Sequence, residues 1–393
     1  MKINDIYDVV IESVDDIGNG VTRIKNIVVF VPYTLSHEKV KIKIVNVSKR
    51  FAVGKVIEFI TKSDKRCEVK CHCYNECGGC NFLHINFDDE KNIKINYINK
   101  LFNINIESVL TNNEYNYRNK ATFHIKDGKI GYYSEKTNDI VEFNNCLLLD
   151  NRINDIYNYL KINDLNGIFE VIIRVTTKDT MVILKGEKYD INGLINNFNI
   201  TSIYLNDKLV YGKSYIIEEI DNIKYSIYPN SFFQVNKDNM KIMYDKAREY
   251  AGYGNNLLDL YCGTGTIGIY LKDNFKHIDG IEINNDSIKN ANINKELNNI
   301  NNINFVCGDA SIAKNNNYDV IIVDPPRSGL SKKVIDFLDN SNAKRIVYIS
   351  CNPKTLRRDI DLLNNYKMVK LEIINMFNKT KHIECITLLE NII

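Results

Sequence analysis

The pattern of hydrophobic and polar residues changes twice along the chain. Up to about residue 60, apolar and polar residues alternate in four runs, YDVVIESV, GVTRIKNIVVFVPYTL, EKVKIKIVNV and FAVGKVIEFI. Alternation with a period of two is typical of strands with one buried face, and Gly18-Asn19-Gly20 separates two of the runs as a turn would. This stretch predicts a small antiparallel β-barrel resembling the OB fold, a type that often binds RNA.

The central part of the chain begins with a segment that has no periodicity, RCEVKCHCYNECGGCNFLH at residues 66–84. A helical pattern follows from Asp88 to Leu101. Two later stretches, ATFHIKDGKIGYYS and EVIIRVTTKDTMVILKG, predict hairpins with turns at Asp127-Gly128 and near Lys178-Asp179. We therefore expect a central antiparallel α+β domain.

From about Asn255 the pattern changes to strands that alternate with helices. The predicted strands are LLDLYCG, HIDGIEI, INFVCGD, YDVIIVDPP and RIVYISC. Such alternation predicts a doubly wound, Rossmann-like parallel sheet that binds ligands at the carboxyl ends of its strands. The last two runs, MVKLEIINMF and IECITLLE, have no helix between them and predict an antiparallel edge. Together the patterns predict three domains, at residues 1–62, 63–225 and 226–393.

Composition narrows the class of protein. Of the 393 residues, 44% are hydrophobic and 25% are charged, as in folded soluble proteins. No apolar run is long enough to span a membrane, and the start MKINDIYDVV lacks a signal pattern, which predicts a cytoplasmic protein without a membrane partner. The net charge is only +2, but residues 39–70 hold ten Lys or Arg against three Asp or Glu. This segment is either a phosphate-facing patch or a solvated face.

The turn after the first α/β strand, in LLDLYCGTGTIGIY, has the features of a nucleotide site. Gly263, Gly265 and Gly268 allow a ligand to approach the backbone, and the following helix begins there with unpaired N–H groups. Glu282 ends the next strand, where a carboxylate accepts hydrogen bonds from ribose hydroxyls. With Asp309 and Asp324 at later strand ends, the series favours S-adenosylmethionine over NAD. An NAD-type domain and helix-capping carboxylates are the alternatives.

The stretch YISCNPKTLRRD places Cys351 at the end of a strand and directly before a basic helix. A cysteine in this position is either a small buried residue or a nucleophile. Because the strand that ends at Asp324 points to the same edge of the sheet, we expect a catalytic thiol.

Several motifs in order give the chain a resemblance to the RNA uracil-5 methyltransferases. They are the N-terminal TRAM-like barrel, the cysteine segment, YNYRNKATF, SFFQVN, LLDLYCGTGTIG, DPPRSG, YISCNP and HIECI. The resemblance implies that the Cys351 thiolate adds to C6 of a uracil and that Glu384 removes the hydrogen from C5 after methyl transfer. It gives His382 at most a helper role. The implied cofactor-binding residues are Gln234, Tyr261, Gly263, Gly265, Thr266, Glu282, Asp309 and Asp324.

The sequence contains ten cysteines, which without a signal peptide indicate metal binding or catalysis rather than disulfides. Cys71, Cys77 and Cys80 follow the spacing C-x5-C-x2-C, and with Cys146 they suit a [4Fe-4S] cluster or zinc, which the spacing alone does not separate. The resemblance implies a [4Fe-4S] cluster, because iron-sulfur members have an aromatic residue where Tyr74 stands. Cys67 and Cys73 are additional, and either could replace one of these ligands. A structural role fits better than a redox role.

The predicted partner is RNA, and the protein is expected to act as a monomer. A TRAM barrel combined with iron-sulfur cysteines resembles the enzymes of 23S ribosomal RNA, with tRNA as the alternative substrate. The residues expected near the RNA are Tyr115, Tyr117, Arg118, Lys120, Lys354, Arg357 and Arg358.

Three other classes of protein fit less well. A radical enzyme would need C-x3-C-x2-C, but Tyr74 stands where its third ligand should be. An adenine or guanine N-methyltransferase would prefer an aromatic residue at Arg327. A non-catalytic iron-sulfur protein that binds RNA would not need Cys351 and Glu384.

Overall fold

The computed structural model describes residues 1–15, 17–135, 137–314 and 317–393, which form two compact units. The first unit contains Met1–Val109, a short segment around Ser134, and Phe377–Lys381. The second unit contains Leu110–Tyr133, Thr137–Met376 and His382–Ile393. The three predicted domains stay a prediction.

The first unit is built around a six-stranded sheet with the order β1-β5-β6-β4-β3-β2. Its strands are β1 (Ile6–Val10), β2 (Ser13–Val14), β3 (Gly20–Ile24), β4 (Ile27–Val31), β5 (Lys39–Val47) and β6 (Phe51–Thr61). The alternation places Val29, Val40 and Ile42, all fully buried, in one apolar core. The expectation of only antiparallel pairs was wrong, because β4 pairs with β6 in parallel. The first predicted run also divides into two strands, since β1 pairs with β5 and β2 with β3.

The predicted helix after the cysteine segment is confirmed as α1 (Phe87–Phe102). The Asn86 side chain caps it by accepting a hydrogen bond from Asp89 N, and the first turn is acidic, as suits a helix N-terminus. The two-residue strand β7 (Val109–Leu110) follows.

A seven-stranded sheet with the order β10-β9-β8-β11-β12-β13-β14 occupies the first part of the second unit. Its strands are β8 (Lys120–Lys126), β9 (Lys129–Tyr133), β10 (Ile140–Val141), β11 (Ile168–Val175), β12 (Thr180–Gly186), β13 (Ser202–Leu205) and β14 (Lys208–Gly212), with helices α2 (Asn151–Lys161) and α3 (Asn192–Asn197). Both predicted hairpins are confirmed. Asp127 and Gly128 have φ values of 53° and 73°, as a two-residue type I′ turn requires. The sheet is not wholly antiparallel, because α3 connects β12 to β13 and these strands run in parallel.

The C-terminal sheet has the predicted parallel core and antiparallel edge, in the order β19-β18-β17-β20-β21-β23-β22. Its strands are β17 (Gly254–Leu260), β18 (Phe275–Glu282), β19 (Ile303–Cys307), β20 (Val320–Val323), β21 (Arg345–Ser350), β22 (Tyr366–Ile374) and β23 (Glu384–Asn391). The helices are α4 (Lys237–Ala251), α5 (Thr266–Tyr270), α6 (Asn285–Leu297), α7 (Lys332–Asp339) and α8 (Pro353–Ile360), with a short 3-10 turn (Ala310–Ile312). The last strand, β23, lies between β21 and β22 and is antiparallel to both.

A small hairpin, β15 (Ile216–Ile220) with β16 (Ile223–Ile227), precedes this sheet. In the described ranges, every helix is too short or too polar to cross a lipid bilayer.

Candidate active site

The register of the C-terminal sheet brings the predicted nucleophile and base together. Ser350, the last residue of β21, is paired with Cys385 of antiparallel β23. Glu384 is the first residue of β23, and continuing this register by one step sets Cys351 opposite it, which agrees with the effect of the Glu384 charge on the Cys351 thiol. Asp324 follows β20, the parallel neighbour of β21. Three residues far apart in the sequence therefore meet at one edge of the sheet.

The surroundings of Cys351 act on its thiol in opposite directions. Burial raises the pKa of the Cys351 thiol, and the nearby carboxylates of Glu384 and Asp324 raise it further. The guanidinium of Arg327, which is hydrogen-bonded to the thiol, lowers this pKa. The thiol is half-buried, so a ligand can reach it. Arg327 is thus the group that favours the reactive thiolate.

The surroundings of Glu384 disfavour its ionised form. It is only 4% exposed, and burial, followed by the charge of Asp324, raises its pKa well above the usual range, while Arg327 opposes this shift. Burial also raises the pKa of Asp324. Two buried carboxyl groups close together do not both ionise readily, so the charge of one disfavours ionisation of the other.

Sequence reasoning did not identify Arg327 as a site residue, although it stands directly after Asp-Pro-Pro. Its main-chain oxygen accepts hydrogen bonds from Asn352 Nδ2 at 2.9 Å and Thr355 Oγ1 at 3.3 Å, both from the turn that follows Cys351. Its Nη2 lies 3.5 Å from His382 Nδ1. The sequence did contain a signal for Arg327, since it is a cationic residue only three positions after Asp324, the carboxylate at the end of a strand.

The glycine-rich turn after β17 fits the predicted cofactor. Gly263 has a φ of +53° with open space where a Cβ would lie, and its N–H donates to Glu282 Oε2 at 3.2 Å. Gly265 has a φ of +76°, and a Cβ there would lie 2.4 Å from Phe305 Cζ. The turn therefore leaves an open cradle beside a partly buried carboxylate, which matches the amino and ribose donors of S-adenosylmethionine.

The other predicted cofactor-binding residues lie in the same unit. Tyr261 has a φ of 62°, and burial, with added effects of Asp309 and Asp359, raises its pKa to about 12. The Thr266 hydroxyl accepts a hydrogen bond from Tyr244 at 2.8 Å. Their cofactor contacts stay predictions.

Gln234 and Asp309 are also held by local hydrogen bonds. The main-chain oxygen of Gln234 accepts from Asn119 Nδ2 at 3.0 Å. Asp309 is exposed, and its Oδ1 accepts from Ser311 N at 2.9 Å. The Ser311 side chain also hydrogen-bonds this carboxylate, which with the backbone bond lowers the pKa of Asp309. The role of Gln234 and of Asp309 in cofactor binding stays a prediction.

The basic residues after Cys351 differ in their availability to RNA. Arg357 is paired with Asp361 at 2.7 Å and Arg358 with Asp359 at 2.6 Å. Lys354 is exposed at the start of α8. Of these three, Lys354 keeps the best access to a phosphate.

In YNYRNK the four predicted residues differ in burial. Tyr115 is 38% exposed and Tyr117 is buried at 6%. Burial, followed by the charge of Arg174, lowers the pKa of Lys120. Contacts of these residues and of Arg118 with RNA stay predictions.

The cysteine segment lies in the first unit, while Cys146 lies in the second. Cys77 and Cys80 are near the Tyr33 ring: burial raises the pKa of Tyr33, and Glu135 and these two thiols raise it further. Within the described ranges, no group of three or more His, Cys, Asp or Glu side chains is arranged to hold a metal ion. The thiols suit iron or zinc chemically, and the predicted cluster is not confirmed.

The Rossmann-like sheet, glycine cradle and paired thiol and carboxyl define an S-adenosylmethionine-dependent methyltransferase. A family model described as tRNA (Uracil-5-)-methyltransferase matches residues 176–313 and 310–392, and a TRAM domain model matches residues 2–57. The chain therefore belongs to the RNA uracil-5 methyltransferase family and is an RNA methyltransferase with an N-terminal TRAM domain.

Similar proteins cover nearly the whole chain. It is 32% identical to an uncharacterized RNA methyltransferase of Clostridium tetani, over 99% of this chain and 97% of the relative. It is also 32% identical to one of Staphylococcus aureus, with 98% of each chain covered. The structure resembles that of Pyrococcus abyssi tRNA (uracil-54, C5)-methyltransferase in complex with S-adenosyl-L-homocysteine. That match has a TM-score of 0.83 and 27% identity, and it covers 97% of this chain and 99% of the other.

Proposed function

We propose that the protein methylates C5 of a uridine in RNA through a covalent bond between Cys351 and C6 of the uracil. The observation that carries the proposal is the register that sets Cys351 opposite Glu384, with Asp324 and Arg327 beside them. A thiol alone at a strand end would support many activities. A thiol close to a carboxyl group of raised pKa suits a reaction that adds a nucleophile and later removes a proton, because such a group is a strong base once it is ionised.

The first step uses the thiolate of Cys351. C5 of uracil is a weak nucleophile, so the thiolate, having lost its proton to water, forms a bond to C6 and pushes the ring electrons toward C5. Arg327 favours the thiolate before the attack. Bound S-adenosylmethionine would supply an electrophilic methyl group, which C5 takes up while the cofactor sulfur keeps the electron pair of the broken S–CH3 bond and leaves as a neutral thioether.

The second step uses Glu384. After methylation C5 carries both the new methyl group and its original hydrogen, and the Glu384 carboxylate accepts that hydrogen as a proton. The C–H electron pair restores the C5–C6 double bond, and the C6–S bond breaks to return the Cys351 thiolate. The raised pKa of Glu384 makes its carboxylate a stronger base than an exposed one.

RNA that contains 5-fluorouridine tests this mechanism. Fluorine cannot leave C5 as a proton does, so the enzyme incubated with this RNA and S-adenosylmethionine should remain bonded to it on a denaturing gel. We expect Cys351→Ala to form no such complex while it still binds the cofactor. An undiminished yield of complex in Cys351→Ala would contradict the assignment of Cys351.

The RNA that we propose as substrate is 23S ribosomal RNA. The TRAM match at residues 2–57 and the cysteine segment support this choice, because the resemblance associates both features with enzymes of large-subunit RNA. Mass mapping of ribosomal RNA from a deletion strain should show one or more 5-methyluridines missing. Unchanged ribosomal RNA would contradict this substrate.

A second candidate substrate is tRNA. The observation that favours it is the similarity over 97% of this chain to the tRNA (uracil-54, C5)-methyltransferase of Pyrococcus abyssi. Mapping the tRNA of the same deletion strain separates the two candidates, since a 5-methyluridine missing only from tRNA would select this one.

We also propose a [4Fe-4S] cluster held by Cys71, Cys77, Cys80 and Cys146, in a monomeric cytoplasmic enzyme. The spacing C-x5-C-x2-C and the closeness of Cys77 and Cys80 to Tyr33 support it. Anaerobic purification should give about four iron and four sulfide per chain, as the cluster formula requires. Stoichiometric zinc without sulfide would contradict the cluster.

A further inference from the structure

The connection between β22 and β23 enters the first unit immediately before the proposed base. Met376 and His382 belong to the second unit, whereas Phe377–Lys381 belongs to the first. Glu384 is the third residue after Lys381. Whatever holds this five-residue segment therefore also constrains the start of β23.

Three buried charged side chains hold the segment. Glu90 is 0% exposed, and Lys94 and Lys379 are each 1% exposed. Lys94 Nζ donates to Glu90 Oε1 at 2.8 Å, and Lys379 Nζ lies 3.7 Å from Glu90 Oε2. Glu90 and Lys94 belong to α1, so this helix contributes a carboxylate and an ammonium group that meet the ammonium group of the segment. We call these three residues the buried charge cluster.

The backbone of the segment is bound as firmly as its side chain. Lys379 N donates to Glu90 Oε1 at 2.9 Å, and Lys379 O accepts from Asn81 N at 2.8 Å and Phe82 N at 3.2 Å. Lys381 N donates to Asn81 Oδ1 at 3.0 Å. Lys379 also has a φ of 62°, which is unfavourable for a lysine and persists only where surrounding contacts impose it. The contacts thus fix one conformation of the segment.

A buried charge cluster contributes little stability compared with apolar residues of the same size, but it admits few alternative arrangements. From this we propose that Glu90, Lys94 and Lys379 are positioning residues for the methyl transfer reaction: they fix the start of β23 and so hold Glu384 opposite Cys351. The inference rests on the proposed function of Glu384. It predicts a defect in proton removal, the step that needs Glu384, beyond any general loss of folding.

Two substitutions test the cluster. Lys379→Met removes the ammonium group and keeps a side chain of similar length. Glu90→Gln, which keeps the shape of the side chain, is the alternative if Lys379→Met folds poorly. With ordinary uridine RNA and S-adenosylmethionine, we expect turnover to fall about tenfold and the fraction of enzyme bonded to RNA on denaturing gels to rise, because the adduct forms faster than it resolves. Cofactor affinity should be unchanged.

The matched control is Glu38→Gln, in the same unit. Glu38 is also 0% exposed, and it accepts hydrogen bonds from Arg66 at 2.6 and 2.7 Å. The Glu38→Gln variant should have a lower melting temperature, but the fraction of enzyme bonded to RNA should not rise. A cluster with only a structural role would give Lys379→Met this same pattern, and that result would overturn the inference.

Hydrogen exchange provides a readout that does not depend on the chemistry. In Lys379→Met, exchange should become faster at residues 376–386 and stay unchanged in the same segment of Glu38→Gln. Equal protection there in Lys379→Met and the unmodified enzyme would overturn the inference. If the unmodified enzyme forms no 5-fluorouridine complex, the proposed function fails, and faster exchange would still show that the cluster anchors the segment.

Discussion

At the scale of single residues, the groups around Cys351 predict opposite shifts in its reactivity with pH. Arg327 lowers the pKa of the thiol, so Arg327→Gln should move the midpoint of Cys351 alkylation to higher pH. Asp324 raises this pKa, so Asp324→Asn should move the midpoint to lower pH. Alkylation by iodoacetamide as a function of pH, followed at the Cys351 peptide by mass spectrometry, measures both shifts.

Two other cysteines provide internal references for this experiment. Cys307 is exposed and should react equally in all variants, while Cys385 is fully buried and should not react in the folded protein. Midpoints that move in the same direction in Arg327→Gln and Asp324→Asn would contradict the proposed electrostatics.

Much of the site could be predicted from the sequence, because a residue at a strand end is placed by the sheet. Cys351 and Asp324 follow parallel strands, so their common edge was predictable. The role of Glu384 came only from the resemblance, since its position opposite Cys351 depends on the order of the last two strands. Arg327 was missed because its contact with the thiol arises from the conformation of a loop, which periodicity does not report.

At the scale of elements, the turn that carries Gly265 should tolerate no side chain. Gly265→Ala would place a Cβ 2.4 Å from the buried Phe305 ring at a φ of +76°. We expect a loss of about 1–3 kcal/mol in the free energy of unfolding and weaker cofactor binding, because the turn must move. Chemical denaturation and calorimetric titration with S-adenosylmethionine measure the two effects.

Gly128→Ala is the control for Gly265→Ala. Gly128 has a φ of +73°, but no atom lies within 4 Å of the position of a Cβ, so Gly128→Ala introduces the backbone strain without the clash. It should cost about 1 kcal/mol and leave cofactor affinity unchanged. Equal losses in the two variants would show that the Phe305 clash has no effect.

The helix after Cys351 is joined to the loop after β20 by one buried carboxylate. Asp359 is 0% exposed, and its Oδ2 accepts from Leu330 N at 2.8 Å and Tyr348 Oη at 2.6 Å. Asp359→Asn should reduce the free energy of unfolding by about 2 kcal/mol, because a neutral amide oxygen accepts these two hydrogen bonds more weakly and the amide NH2 group cannot pair with Arg358 as Oδ1 does. Urea denaturation checks this value.

Tyr348→Phe separates the contributions of Tyr348 and Leu330 to the stability of the contact with Asp359. It removes one hydrogen bond to Asp359 and leaves the carboxylate bound to Leu330 N, so we expect a loss of about 1 kcal/mol. A loss in Tyr348→Phe as large as that in Asp359→Asn would mean that the tyrosine, not the loop, is the important partner.

Elements themselves were well predicted where their periodicity was strong, as in the hairpin at Asp127-Gly128 and the five parallel strands. Apart from the first run, which divides into two strands, the errors concern which strands pair and in which direction. The strands of the parallel pairs β4–β6 and β12–β13 are not connected by a short turn. The local sequence therefore contained no signal for the direction in which these strands pair.

At the scale of the whole molecule, the return of Phe377–Lys381 to the first unit could not be predicted from the sequence. The contacts of this segment, such as Lys379 with Glu90, join residues almost 290 positions apart. Patterns within a window of residues describe faces and turns, but they do not identify such distant partners. The sequence patterns divide the chain into consecutive stretches, whereas the first compact unit also includes Phe377–Lys381 from near the C-terminus.

The basic patch of the TRAM region should contribute to RNA affinity through unneutralised charge. Lys43 and Lys55 are exposed and directly opposite each other on β5 and β6, where two like charges repel. Lys41 on the same strand is instead paired with Glu58 at 3.0 Å. An RNA phosphate between Lys43 and Lys55 would relieve the repulsion, so we expect these two lysines to bind the RNA backbone.

Removing the charges of Lys43 and Lys55 should weaken RNA binding and should also make the binding less dependent on salt. Each neutralised phosphate contributes about 0.7 to the slope of log K against log salt for single strands, so losing the one phosphate between these lysines in Lys43→Gln with Lys55→Gln should reduce the slope by about 0.7. Lys41→Gln should change it little, because Glu58 already neutralises that charge. Binding isotherms at several salt concentrations measure the slopes. Equal slopes in the double variant and the unmodified enzyme would place the RNA backbone elsewhere on the protein.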